Sequence, residues 1–273
     1  MRIAVRVPNW IGDSILAIPS IKSLKITFPD SQIIIVAKNW VKDIFMNLDF
    51  VDDILTIPEK NDLKSLTAGA KKLKKYRFDA GLLLTNSFIS AFLFYAARIP
   101  NRWGYKKEGR QILLTKQVSY KNQRKPIHQV QYYQNIISGL GFKTFPPKLQ
   151  LSLTKQERSQ ARAFLNSFHT NHQKKLIILN PGAYYGSAKR WPVSQYAQLA
   201  EMIQKNLGFN PLIIGSRTET PLAHAISSSL KKKPINLAGK TSLRMLAGII
   251  SLAVWLSLMT LDRCTFLMLS VFL

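Results

Sequence analysis

One carboxylate near the start of the chain is the first candidate for catalysis. Asp13 ends a short turn-forming segment, PNWIGD at 8–13, which separates a β-branched stretch from a helical spacing of apolar residues. Gly12 is expected to let the backbone turn tightly there. A carboxylate at this position either caps the following helix by accepting backbone N–H groups or acts as a general base toward a hydroxyl. Position alone leaves both interpretations open.

A second candidate is the loop NPGAYYGSAKRWP at 180–192, between a predicted strand and a predicted helix. Glycine-rich backbone before a helix start binds phosphate through its N–H groups. Lys189 would add a point charge and Arg190 a forked donor. The glycine spacing matches neither a Walker loop nor a dinucleotide-binding fingerprint. The alternative is a basic surface loop whose Trp191 packs into the core.

Weaker candidates follow the predicted strand at 210–214, where Gly215 and Ser216 could contact a phosphate or a ribose. Metal chemistry has less support in the sequence. The 4 histidines lack the spacing of metal ligands, and there is only 1 cysteine. We therefore expect no protein-bound metal, no disulfide framework and a reducing compartment. Two arginines interrupt the early apolar run, so no secretory signal is expected either.

The charge balance indicates a polyanionic partner. The chain has 39 Lys+Arg against 14 Asp+Glu, a formal charge of +25, while its 47% hydrophobic content excludes a disordered chain. Nucleic acid, an anionic membrane or a phosphorylated substrate would each suit such a charge. The tight basic clusters, at 71–77 and 231–233, are typical of solvated helix faces or loops, and no nucleic-acid-binding motif is present.

Strand and helix patterns alternate along the chain. In the first half, strands are predicted at 2–7, 32–37, 53–57 and 78–84, and helices at 14–28, 41–48, 63–76, 87–97 and 127–140. After a linker at 143–153, helices are predicted at 155–168, 193–206, 221–230 and 242–251, and strands at 175–179, 210–214 and 235–237. This alternation predicts an α/β protein with two doubly wound lobes joined near residue 150. Ligands are expected beyond the carboxyl ends of the strands, in the cleft between lobes.

Four segments resemble a known family. The stretches at 7–33 (VPNWIGDSILAIPSIKSLKITFPDSQI), 85–110, 180–200 (NPGAYYGSAKRWPVSQYAQLA) and 236–243 (NLAGKTSL) are similar to the lipopolysaccharide heptosyltransferases of glycosyltransferase family 9. They keep the family's order and spacing from residue 1 to about 251. The loop at 180–192 looks most like that of the family's type II members.

The resemblance implies a GT-B architecture of two Rossmann-like lobes. It implies inverting transfer of heptose from ADP-heptose to a lipid A–core acceptor, without an essential metal or other cofactor. Asp13 matches the catalytic carboxylate, and Lys189 matches a lysine that contacts the phosphates of the leaving ADP. The other residues assigned to substrate binding are Gly12, Tyr184, Tyr185, Arg190, Gly215, Ser216, Gly239, Lys240 and Thr241. Relatives carry other residues at the two tyrosine positions.

The same resemblance implies a location. The acceptor is a phosphorylated glycolipid, so the protein is expected to be cytoplasmic and peripheral at the inner face of the cytoplasmic membrane. The basic surface would then serve the membrane rather than nucleic acid. Which heptose is added, and to which acceptor sugar, does not follow from the sequence.

The family pattern stops after Ser251. We therefore expect three regions: an acceptor-side lobe at 1–150, a partial nucleotide-sugar lobe at 151–251 and an aberrant apolar tail at 252–273. The tail is not expected to span a membrane, because Asp262 and Arg263 interrupt its apolar stretch before it reaches the necessary length. Relatives carry Asn-Asp-Ser-Gly-Pro-Met-His in this region. Codons that encode this tail can also encode that motif when they are read in a shifted frame, which indicates a frameshift. The coding DNA would test this interpretation. We expect an uncovered sheet edge, poor stability and little or no transferase activity.

Two alternatives remain at this point. The chain could be a basic module with a Rossmann-like core that binds nucleic acid or membranes, and salt-sensitive binding to DNA or RNA without affinity for a nucleotide sugar would favour it. It could also be a GT-B transferase that uses another sugar nucleotide.

Overall fold

The computed structural model divides the chain into two compact units, Met1–Leu151 and Ser152–Leu273. It describes all residues except 61, 121–126, 147, 148, 150, 169–174, 183–189, 254, 261, 262 and 269–273. At 255–260 and 263–268 it describes the backbone alone.

The first unit is a parallel sheet with helices on both faces. Its strands are β1 (Arg2–Arg6), β2 (Gln32–Ala37), β3 (Asp53–Thr56), β4 (Ala80–Leu83), β5 (Asn101–Tyr105) and β6 (Lys116–Val118). Its helices are α1 (Ile11–Thr27), α2 (Leu63–Lys74), α3 (Phe88–Ala96) and α4 (Gln129–Gly139). The strand order is β3-β2-β1-β4-β5-β6, and every neighbouring pair is parallel.

Apolar residues on alternate strand positions attach the helices to this sheet. Ala4 and Val36 point to the face where α2 and α3 bury Leu73 and Phe94. Ile3 and Ile35 are fully buried on the opposite face, which α1 and α4 cover while packing against each other. Strands buried on both faces are near-continuous apolar runs, which is why the sequence identified β1, β2 and β4.

The second unit repeats the same arrangement. Its helices are α5 (Lys155–Asn166), α6 (Val193–Asn206), α7 (Thr220–Ser228) and α8 (Leu243–Ile250), and its strands are β7 (Leu176–Asn180), β8 (Asn210–Ile213), β9 (Ile235–Asn236), β10 (Trp255–Thr260) and β11 (Arg263–Met268). The strand order is β11-β10-β7-β8-β9. Helices α6 and α7 cover the face of Ile177 and Leu179, and α5 and α8 cover the face of Ile178. The predicted class, α/β with two doubly wound Rossmann-like sheets, is confirmed.

The structure differs from the sequence prediction at three places. Two strands of the first unit, β5 and β6, lack an apolar run (NRWGY and KQV) and were not expected. The short helix predicted at 41–48 is a 3₁₀ turn at Lys42–Phe45. The tail expected at 252–273 adds two strands to the second sheet: β10 runs parallel to β7, and β11 runs antiparallel to β10 and forms the edge of the sheet.

Candidate active site

The carboxyl ends of β1 and β4 border an open pocket of about 530 Å³ in the first unit. The strand order runs outward from these two neighbours in opposite directions, so the pocket lies at the topological switch point, where parallel sheets bind their ligands. Ionisable and hydrogen-bonding side chains line it, among them Asp13, Asn86, Lys107, Glu108, Tyr132 and Tyr133.

Asp13 is the third residue of α1 and is half-buried. The helix starts earlier than predicted, so Trp10 occupies the N-cap position, without a side-chain cap hydrogen bond. The capping interpretation of Asp13 is therefore wrong. Its carboxylate forms no ion pair within the described part of the chain. Burial raises the pKa of this carboxyl group, which makes its ionised form a stronger base.

Gly12 has a different role from the expected tight turn. It is the second residue of α1 and is not among the residues with positive φ. A Cβ built on it would contact nothing within 4 Å. The space beside Gly12 is thus open, and neither backbone conformation nor packing requires a glycine there.

Three hydrogen bonds hold the loop between β1 and α1 in place. The hydroxyl of the buried Ser14 donates to the carbonyl of Pro8 at 3.0 Å. The guanidinium of Arg6 donates to Asn9 Oδ1 at 2.6 Å, and the indole N–H of Trp40 donates to the Asn9 carbonyl at 2.7 Å. Asp13 therefore extends from a fixed helix start, as a catalytic group requires.

A buried arginine shapes the wall formed by the segment after β4. Arg110 is fully buried and donates to the carbonyls of Tyr105, at 2.9 Å, and Thr85, and to Asn86 Oδ1 at 3.3 Å. The amide of Asn86 in turn donates to the hydroxyl of Tyr132 at 2.7 Å. Gly104 leaves room for this arginine, since a Cβ there would lie 3.1 Å from its Nη2. The network orients the Asn86 amide and the Tyr132 hydroxyl at the pocket.

The rim carries a cation and an anion on one turn. Glu108 and Gly109 have positive φ values of 53° and 71°, a conformation that is unfavourable for a glutamate. The turn places Lys107 Nζ 4.0 Å from the ring centroid of Tyr120, a cation–π distance.

Tyr133, on α4, also lines the pocket. Burial is the main cause that raises the pKa of Tyr133, and the charge of Asp13 raises it further. The Tyr133 hydroxyl therefore stays protonated beside the carboxylate.

The second unit brings three glycine-containing loops together after β7, β8 and β9. The N–H of Gly239, a residue with a φ of 73°, donates to the Gly215 carbonyl at 2.9 Å. Glu219 accepts the backbone N–H and the hydroxyl of Ser216, both at 2.7 Å. Its carboxylate also lies against Gly182, where a Cβ would overlap it. These contacts place Gly215, Ser216 and Gly239 at one edge of the sheet.

Glu219 changes what this edge can bind. Its carboxylate already occupies the donors of Ser216 in a capping box, and it would repel a phosphate placed beside it. A carboxylate at this edge of a Rossmann-like sheet instead suits the hydroxyls of a ribose. Of the other predicted contacts, Lys240 is exposed and donates to the Asn236 carbonyl at 3.0 Å, and Thr241 is half-buried.

The loop at 180–192 is described only in part. Tyr184, Tyr185 and Lys189 lie outside the described residues, so their assignments stay predictions. Arg190 is half-buried. Trp191 is partly buried against the core of the second unit, with its ring 5.6 Å from that of Tyr196, as the alternative interpretation of this loop required.

Comparison with known proteins identifies the family. The sequence profile of glycosyltransferase family 9 (heptosyltransferase) matches residues 66–256. The chain belongs to glycosyltransferase family 9. It is therefore a glycosyltransferase, and its two Rossmann-like units are those of the GT-B class. Lipooligosaccharide heptosyltransferase 2 of Haemophilus influenzae is 31% identical over 268 residues, which cover 92% of this chain and 75% of that protein.

Two further relatives agree. Lipooligosaccharide heptosyltransferase 2 of Haemophilus ducreyi is 30% identical, over 92% of this chain and 75% of its own length. The solved structure of the E. coli ADP-heptose lipopolysaccharide heptosyltransferase II superposes with a TM-score of 0.80 at 25% identity, and covers 94% of this chain and 78% of that one.

The described residues also bear on metal binding and on membrane insertion. No group of three or more His, Cys, Asp and Glu side chains is placed to hold a metal ion among them. Within the same part of the chain, no helix combines the length and apolar character needed to cross a bilayer.

Sequence reasoning missed most of the first unit's pocket. Asn86, Lys107, Glu108, Tyr132 and Tyr133 were not singled out. Asn86 had a usable signal, because it is a polar residue two positions after the buried strand predicted at 78–84. Lys107 and Glu108 follow β5. Because β5 mixes polar and apolar residues, the sequence did not predict the strand, and these two residues were not recognised as belonging to a site.

Proposed function

We propose that this family 9 enzyme transfers heptose from ADP-heptose to a hydroxyl of the inner core of lipopolysaccharide. The observation that carries the proposal is the half-buried Asp13 carboxylate, with its raised pKa, in an open pocket at the switch point of the first sheet. The relatives named above are heptosyltransferases by name, which supports heptose as the transferred sugar and the lipopolysaccharide core as the acceptor.

The chemical step needs one base and no redox partner. Asp13 takes the proton of the acceptor hydroxyl while that oxygen forms a bond to the anomeric carbon of heptose. The bond from this carbon to the phosphate oxygen breaks, and ADP leaves with the electron pair. Attack from the face opposite to ADP inverts the anomeric centre. The step is metal-independent in this proposal, with the charge of ADP offset by cations of the 180–192 loop, Lys189 first.

The second unit supplies the nucleotide site in this proposal. The edge formed by Gly215, Ser216 and Gly239 lies beside the Glu219 carboxylate, and a Cβ on Gly215 would lie 3.2 Å from that carboxylate. Glu219 would accept ribose hydroxyls, and the glycine backbone would let the nucleotide approach closely. Lys240 and Thr241 flank this edge.

In this proposal the protein binds the anionic membrane that holds the acceptor through a surface formed by two helices. Helix α3 exposes an aromatic stripe, Phe88, Phe92 and Tyr95, at the i, i+4, i+7 spacing of one helix face. The neighbouring α2 carries exposed lysines at 64, 71, 72 and 74. Aromatic rings beside lysines suit the interface of an anionic bilayer.

Transfer tests the catalytic proposal. The protein, in excess over acceptor, is incubated with ADP-heptose and a heptose-deficient core acceptor, and the product is followed by mass spectrometry. Asp13→Asn should lower the transfer rate by about 10²-fold or more, the usual contribution of a general base, while calorimetry finds unchanged ADP-heptose affinity. Undiminished transfer by the variant, or a wild-type chain that neither binds ADP-heptose nor transfers heptose, would refute the proposal.

Vesicle sedimentation tests the membrane surface. Binding to phosphatidylglycerol vesicles should exceed binding to phosphatidylcholine vesicles and weaken between about 0.1 and 1 M salt, as the Debye length falls from about 10 to 3 Å. Phe92→Ser should weaken it, and Met202→Ser, which changes an exposed apolar residue of α6, should not. Equal effects of the two variants would contradict a surface on α3.

A further inference from the structure

A second, smaller cavity of about 50 Å³ lies beside the Asp13 pocket in the first unit. Arg6, Lys38 and Lys60 line it, and Asn9 and Ser87 line both it and the larger pocket. Arg6 pairs with Val36 in the β1–β2 register, and Lys38 follows two residues later. Alternation along a strand therefore puts the Arg6 and Lys38 side chains on the same face.

Two of these cations are buried without an ion pair. Arg6 is 3% exposed and Lys38 is 5% exposed, and neither forms a salt bridge within the described ranges. Arg6 donates to the Val36 carbonyl at 3.3 Å, and Lys38 donates to the carbonyls of Pro58 and, at 2.8 Å, Glu59. Neutral oxygen atoms accept only some of the N–H groups of these two side chains and do not cancel their charge, so the cavity stays electropositive and keeps donors for an anion.

The lowered pKa values of Arg6 and Lys38 agree with an electropositive cavity. Burial lowers the pKa of Arg6 to about 10. Burial also lowers the pKa of Lys38, the charge of Arg6 lowers it further, and the Glu59 carboxylate partly opposes both. Three cations facing one nearby carboxylate leave an excess of two positive charges. A phosphate group, with a charge near −2 at neutral pH, matches that excess better than a carboxylate does.

We propose that the Arg6–Lys38–Lys60 cavity binds one phosphate group carried by the acceptor, and so sets the acceptor hydroxyl beside Asp13. The acceptor assignment rests on the proposed function. Asn9 and Ser87 line both pockets, so the cavity adjoins the Asp13 pocket and both lie within reach of one ligand. An anchored phosphate would restrict the sugar's orientation at the base, the way that positioning groups speed a bimolecular step.

Inorganic phosphate is the first probe, used with the full chain at constant ionic strength so that the net charge of +25 does not dominate. Calorimetry should find one phosphate per chain. Lys60→Ala, at an exposed position, should weaken it about tenfold, and Lys38→Met should weaken it at least as much where circular dichroism shows that it folds. Lys64→Ala removes an exposed lysine of α2 that does not line the cavity and should leave the affinity unchanged. No saturable binding, or equal loss in Lys60→Ala and Lys64→Ala, would overturn the site.

A deacylated core oligosaccharide is the second probe. With its phosphate groups intact it should displace bound phosphate from the protein, and after phosphatase treatment it should not. Failure of the intact oligosaccharide to displace phosphate would assign the cavity to free phosphate and overturn the acceptor assignment. ADP-heptose binding is measured in parallel. A chain that binds ADP-heptose but no phosphate contradicts the cavity alone, and one that binds phosphate but no ADP-heptose contradicts the proposed function alone.

Discussion

Asp13 should destabilise the folded protein at the pH where its carboxylate is ionised. Burial raises its pKa in the folded state, so the folded chain holds this proton more tightly than the unfolded chain does. Stability is therefore lost as the pH rises from the unfolded value, about 3.9, through the folded value. Asp13→Asn removes that loss. We expect the variant to have a higher free energy of unfolding at pH 7, measured in urea, and the difference to vanish below about pH 4.

An exposed aspartate gives the control for this prediction. Asp30 is exposed and follows α1, so Asp30→Asn should change neither the stability nor its pH dependence in the way that Asp13→Asn does. A variant at Asp13 that is less stable than wild type at neutral pH would show that the carboxylate has a structural role.

Replacing Gly12 by alanine distinguishes a role in substrate binding from a role in packing. It lies inside α1 with nothing within 4 Å of a Cβ, and alanine is favoured over glycine in a helix by about 1 kcal/mol. Gly12→Ala should therefore raise the free energy of unfolding by up to about 1 kcal/mol. If Gly12 borders the substrate, the same change should lower acceptor affinity, measured by calorimetry. Gly81→Ala, whose Cβ would lie 2.5 Å from the Phe94 ring, should destabilise the unit instead.

At the scale of elements, an ion pair joins α5 to α8. Arg244 Nη2 lies 2.7 Å from Glu157 Oε2, with side chains only 10% and 17% exposed, and the same guanidinium donates to the Ser152 carbonyl at 2.8 Å. Arg244 lowers the pKa of Glu157 from 4.5 to about 2, helped by the Thr154 cap. This stabilisation is present above pH 4.5 and is lost as the pH falls through about 2.

Arg244→Met should lower the free energy of unfolding by about 3 kcal/mol at pH 7, because it leaves a part-buried carboxylate without its partner. The deficit should be smaller at pH 3 than at pH 7, because the stabilisation by this pair is lost progressively as the pH falls from 4.5 to about 2. Lys205→Met is the matched control, since the Glu201–Lys205 pair is 46% and 71% exposed, water screens it, and its loss should cost much less stability. Urea titrations at pH 7 and pH 3 make the comparison, and equal losses in both variants would contradict it.

How far the sequence predicted these elements depended on burial. Strands with both faces covered, such as β2 (QIIIVA), are apolar throughout, and the sequence located them well. β5 is half-exposed at its start and carries Arg102 and Gly104, so its pattern was not recognisable. The start of α1 was missed because Trp10 caps it without a side-chain hydrogen bond, leaving no Ser, Thr, Asp or Asn signal.

The candidate site depended on contacts that no local pattern encodes. Asp13 was found because it follows the first strand and matches a family motif. Arg110 orients Asn86, which lies 24 residues earlier in the chain, and the cavity beside the Asp13 pocket is lined by residues of β1, of the segment after β2 and of the segment after β3. Such side chains are far apart in sequence, and their types alone suggested only a basic surface.

At the scale of the whole molecule, the two units should unfold separately. Each has its own sheet and its own apolar core, which is the condition under which two-state behaviour fails. Urea denaturation followed by far-UV circular dichroism should show two transitions. Arg244→Met should shift only the transition of the second unit, and Gly81→Ala only that of the first. The fragment Met1–Leu151, expressed alone, should unfold at the midpoint of the first unit's transition and retain phosphate binding. A single transition that both variants shift equally would mean that the units fold as one cooperative body.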